Sequence, residues 1–229
     1  LTMLIKYIYL DDPLILGMKR NFCVRNATTN IIIHIDDDDI HFPKSIEFRV
    51  RALLGCQLSK NPSLRKCQIL GSLDMLIYYL NEEQYRYGMC REKSLIHEGT
   101  MIYTKQFWAA KPFKEDDRSG EGLVFTKGRE DQIQHISVRL LAIMMAHLEN
   151  TCNKNHFLFR LPMLENNSVN IGNVAEQYLK ELRVKLIGNS RPQVIDQEKR
   201  NDLASAYEMF KRTNNINNEL SHITGGQSQ

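Results

Sequence analysis

The sequence predicts an α/β fold, an open sheet flanked by helices, with a helical appendage towards the carboxy-terminal end. Three observations carry that expectation. Asn30–Ile35 is a nearly continuous apolar run, the pattern of a strand covered on both faces. Strand-like run, polar turn and helical pattern occur in that order twice, which is the signature of α/β layering. From about Pro162 the alternation stops, and apolar residues recur at helical spacing alone.

Composition bounds what the chain can be. Its 229 residues are 42% hydrophobic and 25% charged, enough apolar mass for one sizeable core. Lys and Arg number 30 against 27 Asp and Glu, so bulk charge does not drive nucleic-acid binding, and none is expected. The sequence lacks an apolar run of roughly 18 residues, so no membrane-spanning helix is expected. Five cysteines, scattered and never spaced as CxxC, argue against a disulfide framework or a zinc site. Reduced thiols are expected, a usage compatible with the cytoplasm, although the sequence leaves the compartment open. Leu1 stands at the start of what reads as a strand in mid-fold, so a true amino terminus and any targeting signal are expected upstream.

The elements follow in order. Ile5–Leu10 reads as a short strand ended by Asp11-Asp12-Pro13, which cannot continue a ladder. Gly17 opens a helix over Met18–Thr29 with Lys19, Arg20 and Asn21 in its first turn. In the strand Asn30–Ile35, His34 is expected to be a satisfied sheet histidine. Pro43 and Lys44 open a helix to about Leu54 that presents Ile46, Val50, Leu53 and Leu54 on one face. Gln68–Leu73 and Met75–Leu80 read as a hairpin, and Glu82–Glu92 as a polar connection. Gly99–Tyr103 leads into a short helix ending near Trp108, followed by the acidic, glycine-containing loop Glu115–Gly122. Leu140–Ala146 reads as a buried strand. Ala175, Tyr178, Leu179, Leu182 and Leu186 define an amphipathic helix stopped by Gly188, and Leu203, Ala206, Tyr207 and Phe210 define a second. Residues 1–160 are thus expected to form one domain, and residues 161–229 a helical appendage with a frayed tail.

Chemistry concentrates at Asp36-Asp37-Asp38-Asp39, directly after the strand. Adjacent like charges repel, so such a cluster protonates in part or holds a cation. The carboxyl end of a strand in an open α/β sheet is also where ligands bind. Together these point to Mg²⁺ or Mn²⁺ with oxygen ligands and positions left for phosphate oxygens. The plainer alternative is a solvated acidic turn.

Leu16-Gly17-Met18-Lys19-Arg20-Asn21, the strand, Asp36–Asp39 and Phe42-Pro43 together resemble the family 2 glycosyltransferases of GT-A fold and their DxD segment. Downstream, Gly99-Thr100-Met101-Ile102-Tyr103 with Phe107-Trp108 is similar to the acceptor-side segment of a viral and eukaryotic branch of that family. Ser119-Gly120-Glu121-Gly122-Leu123-Val124-Phe125 resembles its acidic catalytic motif. Ala146-His147-Leu148-Glu149-Asn150-Thr151 resembles a late His-x-x-Asn element. The resemblance covers about residues 5–151.

It implies a role for each matching residue. Glu121 would be the general base. Lys19, Arg20, Asn21, Asp36 and Asp37 would lie on the nucleotide and donor side, Asp38 and His147 at the metal, and Gly99, Thr100 and Trp108 towards the acceptor. The reaction implied is inverting, metal-dependent transfer from a nucleotide-sugar, with UDP favoured, to a hydroxyl of a saccharide, protein or lipid. The residues alone leave plainer readings for each: an exposed basic turn, a surface glutamate, a structural histidine, a core tryptophan. The resemblance also implies that the first strands of the fold, which contact the nucleotide, have no counterpart here. The sheet is then expected to lack its middle, and the chain by itself to be weak in donor binding. Two other classes compete. One is a catalytically inactive saccharide- or partner-binding module. The other is a metal-dependent nucleotidyltransferase or nuclease, against which the near-neutral charge counts.

Overall fold

The computed structural model describes residues 6–89, 96–118, 120–147, 150, 154–158, 161–164, 169 and 173–187. Of these, the residues within Leu1–Ile77 and Tyr87–Met145 form one compact unit, and those within Tyr78–Arg86 and Ala146–Gln229 a second. The elements in chain order are α1 (Leu16–Asn26), β1 (Ile31–Ile33), β2 (Ile40–His41), α2 (Ser45–Gln57), α3 (Pro62–Arg65), β3 (Ile69–Gly71), β4 (Asp74–Tyr79) and β5 (Gln84–Met89). They continue with β6 (Ile102–Thr104), α4 (Lys105–Ala110), α5 (Glu121–Thr126), β7 (Ile133–His135), β8 (Ala142–Ala146), α6 (Asn155–Leu158), β9 (Met163–Leu164) and α7 (Asn173–Ile187). The α/β class read from the sequence is the class found. No helix among the described residues is long and apolar enough to cross a membrane.

The first unit is built on a mixed sheet of order β1-β6-β3-β7. β6 runs antiparallel to both β1 and β3, whereas β3 and β7 are parallel. β1 therefore sits at an edge, paired through Ile31–Thr104, Ile32–Tyr103 and Ile33–Ile102. β2 pairs antiparallel with β8, whose five residues are all buried.

Aromatic packing closes one face of the β1-β6-β3-β7 sheet. Val24 of α1 joins Ile32, Ile69, Met101, Tyr103, Phe107, Phe113 and Phe125 in one buried cluster. Phe113 and Phe125 stack at 3.9 Å, and Tyr103 and Phe107 meet Phe125 edge-on at 5.2 and 5.3 Å. Such ring pairs add about 0.5–1.5 kcal/mol each beyond area burial. Arg129 closes the cluster from one side, its guanidinium 3.5 Å above the Phe107 ring and donating to the carbonyls of Phe107, Phe125 and Lys111. A cation at carbonyls left unpaired by short helices is favourable on both dipole and hydrogen-bond grounds.

The other face of that sheet is covered by α2. Its buried residues are Ser45, Arg49 and Leu53, a spacing of four. Arg49 is fully buried and donates to the His34 carbonyl at 3.1 Å and the Ser45 carbonyl at 3.3 Å, which ties α2 to the end of β1. Burial lowers the Arg49 pKa to about 10. This corrects the expected face, because Ile46 and Leu54 are exposed.

Three further expectations are corrected. Lys6–Leu10 is not a strand, and Tyr7 and Tyr9 stand in solvent. Gln68–Leu73 and Met75–Leu80 do not form a hairpin, because β3 and β4 enter different sheets. Ser72 makes the break, its hydroxyl accepting from the Asp74 amide and its own amide donating to Thr100 Oγ1. The polar connection over Glu82–Glu92 contains a strand, β5.

In the second unit β5 pairs antiparallel with β9, Tyr78 and Tyr85 pack at 4.6 Å, and the Tyr79 hydroxyl donates to the Lys154 carbonyl at 2.7 Å. α7 lies where helical spacing placed it. Leu179 is buried and Tyr178 is exposed. The second predicted appendage helix, Leu203–Phe210, lies outside the described residues.

Gly17 is where α1 and the 114–117 turn meet backbone to backbone. Its amide donates to the Asp117 carbonyl at 3.0 Å, and a Cβ there would overlap the Lys114 carbonyl oxygen. Gly55 of α2 has open space around it. Gly17→Ala is therefore expected to destabilise by about 1–3 kcal/mol, and Gly55→Ala to stabilise by about 0.5–1 kcal/mol. Urea denaturation of both variants measures this, and equal effects would contradict the close approach.

Candidate functional site

Four separate segments converge on Arg20. Helix α1 carries it, β1 leads to His34 and Asp36, a 3₁₀ turn at Glu98–Thr100 supplies Glu98, and α5 begins with Glu121. The chain brings Glu121 in through Gly120, whose left-handed φ of 66° is open to glycine at little strain and starts α5 abruptly. Glu121 is buried at 1% exposure, and the adjacent Gly122 amide donates to Glu98 Oε1 at 2.7 Å.

Arg20 spreads its guanidinium over three partners. Nε donates to Glu121 Oε1, Nη1 lies 2.6 Å from His34 Nδ1, and Nη2 lies 3.6 Å from Asp36 Oδ1. His34 Nε2 in turn is 2.7 Å from the Tyr103 hydroxyl. Arg20 donates to Nδ1, so the imidazole is the Nε2–H tautomer and donates to Tyr103. Burial, then the charges of Arg20 and Arg49, holds the His34 pKa well below the ordinary imidazole range. The expected sheet histidine is thus a neutral prop under Arg20.

Burial raises the Glu121 pKa, and the nearby Glu98 charge adds to this, while the ion pair with Arg20 opposes both. The result is a buried carboxyl drawn up from its ordinary range yet still paired with a cation. Burial lowers the Arg20 pKa, but the charges of Glu121 and Asp36 outweigh it and the net shift is upward.

The four aspartates are not equivalent. Asp36 faces Arg20, and Asp39 Oδ1 accepts the Met145 amide at 2.9 Å, so Asp39 anchors the turn to β8. Asp37 is exposed and Asp38 half-buried. Gly99 lies against this turn; a Cβ there would come 2.8 Å from Asp36 Oδ2 and 3.5 Å from Asp39 Oδ2. Among the described residues no group of three or more His, Cys, Asp or Glu is arranged to hold a metal ion. Mg²⁺ and Mn²⁺ need only one or two carboxylates where water and phosphate oxygens complete the shell.

The remaining predicted site residues fall into three groups. Lys19 is exposed on α1, beside Arg20. Asn21 is fully buried and committed: Nδ2 donates to the Phe113 carbonyl at 2.8 Å, while Oδ1 accepts the Phe113 amide and the Trp108 indole N–H. Trp108 packs against the aromatic cluster. The Thr100 hydroxyl is equally committed, donating to the His97 carbonyl and accepting the Ser72 amide. His147 belongs to the second unit, where its amide donates to Asn150 Oδ1 at 2.8 Å and its Nε2 lies 3.0 Å from Asn150 Nδ2. Ser119 lies outside the described residues. Sequence reasoning passed over Glu98 and gave Tyr103, quoted only within the Gly99–Tyr103 segment, no role of its own. Glu98 adjoins the Gly99-Thr100 pair, a signal that a carboxylate near a recognised segment could have supplied.

No family model and no curated protein matches this chain. Among solved structures, the chain is similar to the crystal structure of S. aureus TarS 1–349, with 12% sequence identity and a TM-score of 0.37. The likeness covers 82% of this chain and 48% of that one, so the chain spans about half the length of that structure.

Glu121 binds its proton more tightly folded than unfolded, so its contribution to stability falls as pH rises from about 4.5 through its raised value. Relative to Glu121→Gln, the native protein is therefore expected to lose stability over that window and then level off. Arg20→Met extends the loss to higher pH and, at neutral pH, destabilises by about 3–5 kcal/mol by leaving a buried charge unpaired. Urea unfolding as a function of pH measures both, and parallel profiles for all three proteins would contradict the ion pair.

Proposed function

We propose that the chain is a metal-dependent glycosyltransferase that moves a sugar from a nucleotide-diphosphate-sugar to an acceptor hydroxyl with inversion, Glu121 acting as general base. The observation that carries this reading is that Arg20 touches Glu121 and Asp36 together, which puts the carboxyl after Gly120 beside the acidic turn that follows β1. These are the two motifs that the sequence places 85 positions apart (121 − 36).

Each residue then has a task. Glu121 takes the acceptor hydroxyl proton as the oxygen attacks the anomeric carbon. A carboxyl raised towards neutrality is a better match to that task than an ordinary one. Arg20 opposes the upward pull of burial and of the Glu98 charge on the Glu121 carboxyl and holds that carboxyl beside the acidic turn. Lys19, exposed beside it, adds a second cation for the phosphates. Asn21 acts indirectly, fixing α1 to the Phe113 backbone so that Arg20 stays in register. Gly99 leaves room beside the Asp36 carboxylate. Asp38, with Asp36, is assigned to a divalent ion, which when bound supplies charge neutralisation for the leaving diphosphate. Asp37 remains available to the donor ribose. A UDP-sugar is the donor class proposed, and a saccharide, protein or lipid hydroxyl the acceptor.

The test is equilibrium binding of UDP, GDP and their sugars to the folded protein, with and without Mn²⁺, for the native chain and Asp38→Ala. Metal-dependent binding that Asp38→Ala abolishes is the expected result. Once turnover is found, Glu121→Gln should lower kcat by about 10²–10⁴. A well-folded protein that binds none of these donors would leave the saccharide- or partner-binding module as the better reading.

A further inference from the structure

The end of the first sheet opposite the acidic turn carries a second concentration of polar chemistry. Asn30 precedes β1, whereas Asp36–Asp39 follow it. Backbone hydrogen bonds run from Lys105 N to the Asn30 carbonyl, from Thr104 N to the Gln68 carbonyl and from Gln68 N to the Gln132 carbonyl, at 2.7, 3.0 and 3.0 Å. Asn30, Thr104, Gln68 and Gln132 therefore stand in a row across that sheet end.

Two adjoining hollows open there. One, of about 480 Å³, is lined by Asn30, Gln57, Arg65, Gln68, Thr104 and Gln106. The other, of about 360 Å³, shares Gln68 and Gln106 and adds Gln132 and the pair Lys66–Asp131. Five carboxamides thus line the two hollows, which meet at Gln68 and Gln106 and are treated as one groove. Two are partly engaged: Gln68 Oε1 accepts from the Thr104 hydroxyl at 2.8 Å, and Gln57 Nε2 donates to the Cys67 carbonyl at 3.4 Å. The side chains of Asn30, Gln106 and Gln132 have no hydrogen-bond partner among the described residues.

We propose that this groove binds a neutral saccharide chain. A carboxamide offers a donor and an acceptor side by side, which matches the vicinal hydroxyls of a sugar. Other ligand classes fit less well. The larger hollow has one charged lining group, Arg65, and Lys66 lies 3.8 Å from Asp131, so the groove lacks the clustered cations that an anion needs. An apolar ligand needs apolar walls, and the larger hollow is lined by Asn, Gln, Thr and Arg side chains alone, although Phe107 and Ala110 also border the smaller one. Stacked bases need an exposed ring, and Phe107, the one aromatic lining residue, is 2% exposed. The same absence of a stacking platform makes each site weak, with a Kd of about 1 mM, so a polymer that offers many copies of its repeat is the suitable probe. The inference does not rest on the transferase reading, because it uses other residues at the other end of the sheet.

The test is affinity electrophoresis of the full chain through gels carrying soluble neutral polysaccharides of glucose, mannose, galactose or N-acetylglucosamine. Retardation in at least one gel is expected. Gln106→Ala and Asn30→Ala each remove one unpartnered carboxamide and should each weaken it about fivefold, while Asp38→Ala leaves it unchanged. Thermal melting confirms that each variant is folded. Retardation in none of the gels overturns the proposal. Retardation that survives both groove variants and is lost in Asp38→Ala also overturns it, and places the saccharide at the acidic turn instead.

Discussion

A single guanidinium organises the first unit. The Arg20 side chain is 11% exposed, and a buried cation is tolerated only where its hydrogen bonds and charge are met. Glu121 supplies the charge, Asp36 adds to it, and neutral His34 accepts a further N–H. Each of these partners in turn requires something of the fold. Glu121 requires Gly120 in a left-handed turn, His34 requires Tyr103 across the β1–β6 ladder, and α1 requires Asn21 locked to the Phe113 backbone. The convergence of four chain segments follows from satisfying one side chain.

The two ends of the sheet divide the chemistry. At the carboxyl end of β1 the groups are ionic, with Arg20, Glu121 and Asp36 paired and Asp37 and Lys19 exposed, suited to charged phosphates and proton transfer. At the other end they are carboxamides, mostly neutral and in part unpaired. The aromatic cluster between Tyr103, Phe107, Phe113 and Phe125 separates these regions, and Arg129 clamps the helices that carry Phe107 and Phe125. Sites at the two ends share no side-chain partners, the condition under which substitutions add independently.

Much of this frame was legible in the sequence, and the exceptions have physical reasons. β1 and its acidic turn stood out because an apolar run meets four carboxylates without transition. The α2 face was misread because hydrophobic periodicity has no place for Arg49, whose buried guanidinium serves the backbone and not a carboxylate. The false hairpin arose from two apolar runs, Gln68–Leu73 and Met75–Leu80, separated by Asp74 alone; the strand order and the Ser72 hydrogen bonds show that the chain changes sheets there. β5 was hidden because Glu82, Glu83 and Arg86 dilute the alternation of Tyr85, Tyr87 and Met89. At the site, Glu121, Arg20 and Asp36 were visible as motif residues, but their contact was not. Asn21, Thr100 and Trp108 have side-chain polar groups committed to internal hydrogen bonds, which type and spacing do not reveal. Glu98 carried no pattern of its own.

The transferase reading requires one thing above all, a divalent ion and a diphosphate side by side at the acidic turn. Anomalous scattering from crystals of the full chain grown with Mn²⁺ and UDP tests it directly. The expected result is a manganese peak about 2.1 Å from Asp38 or Asp36 oxygens, with phosphate oxygens completing the shell on the Arg20 side. A well-ordered acidic turn with manganese and UDP both bound elsewhere, or with neither bound at saturating concentration, would contradict it.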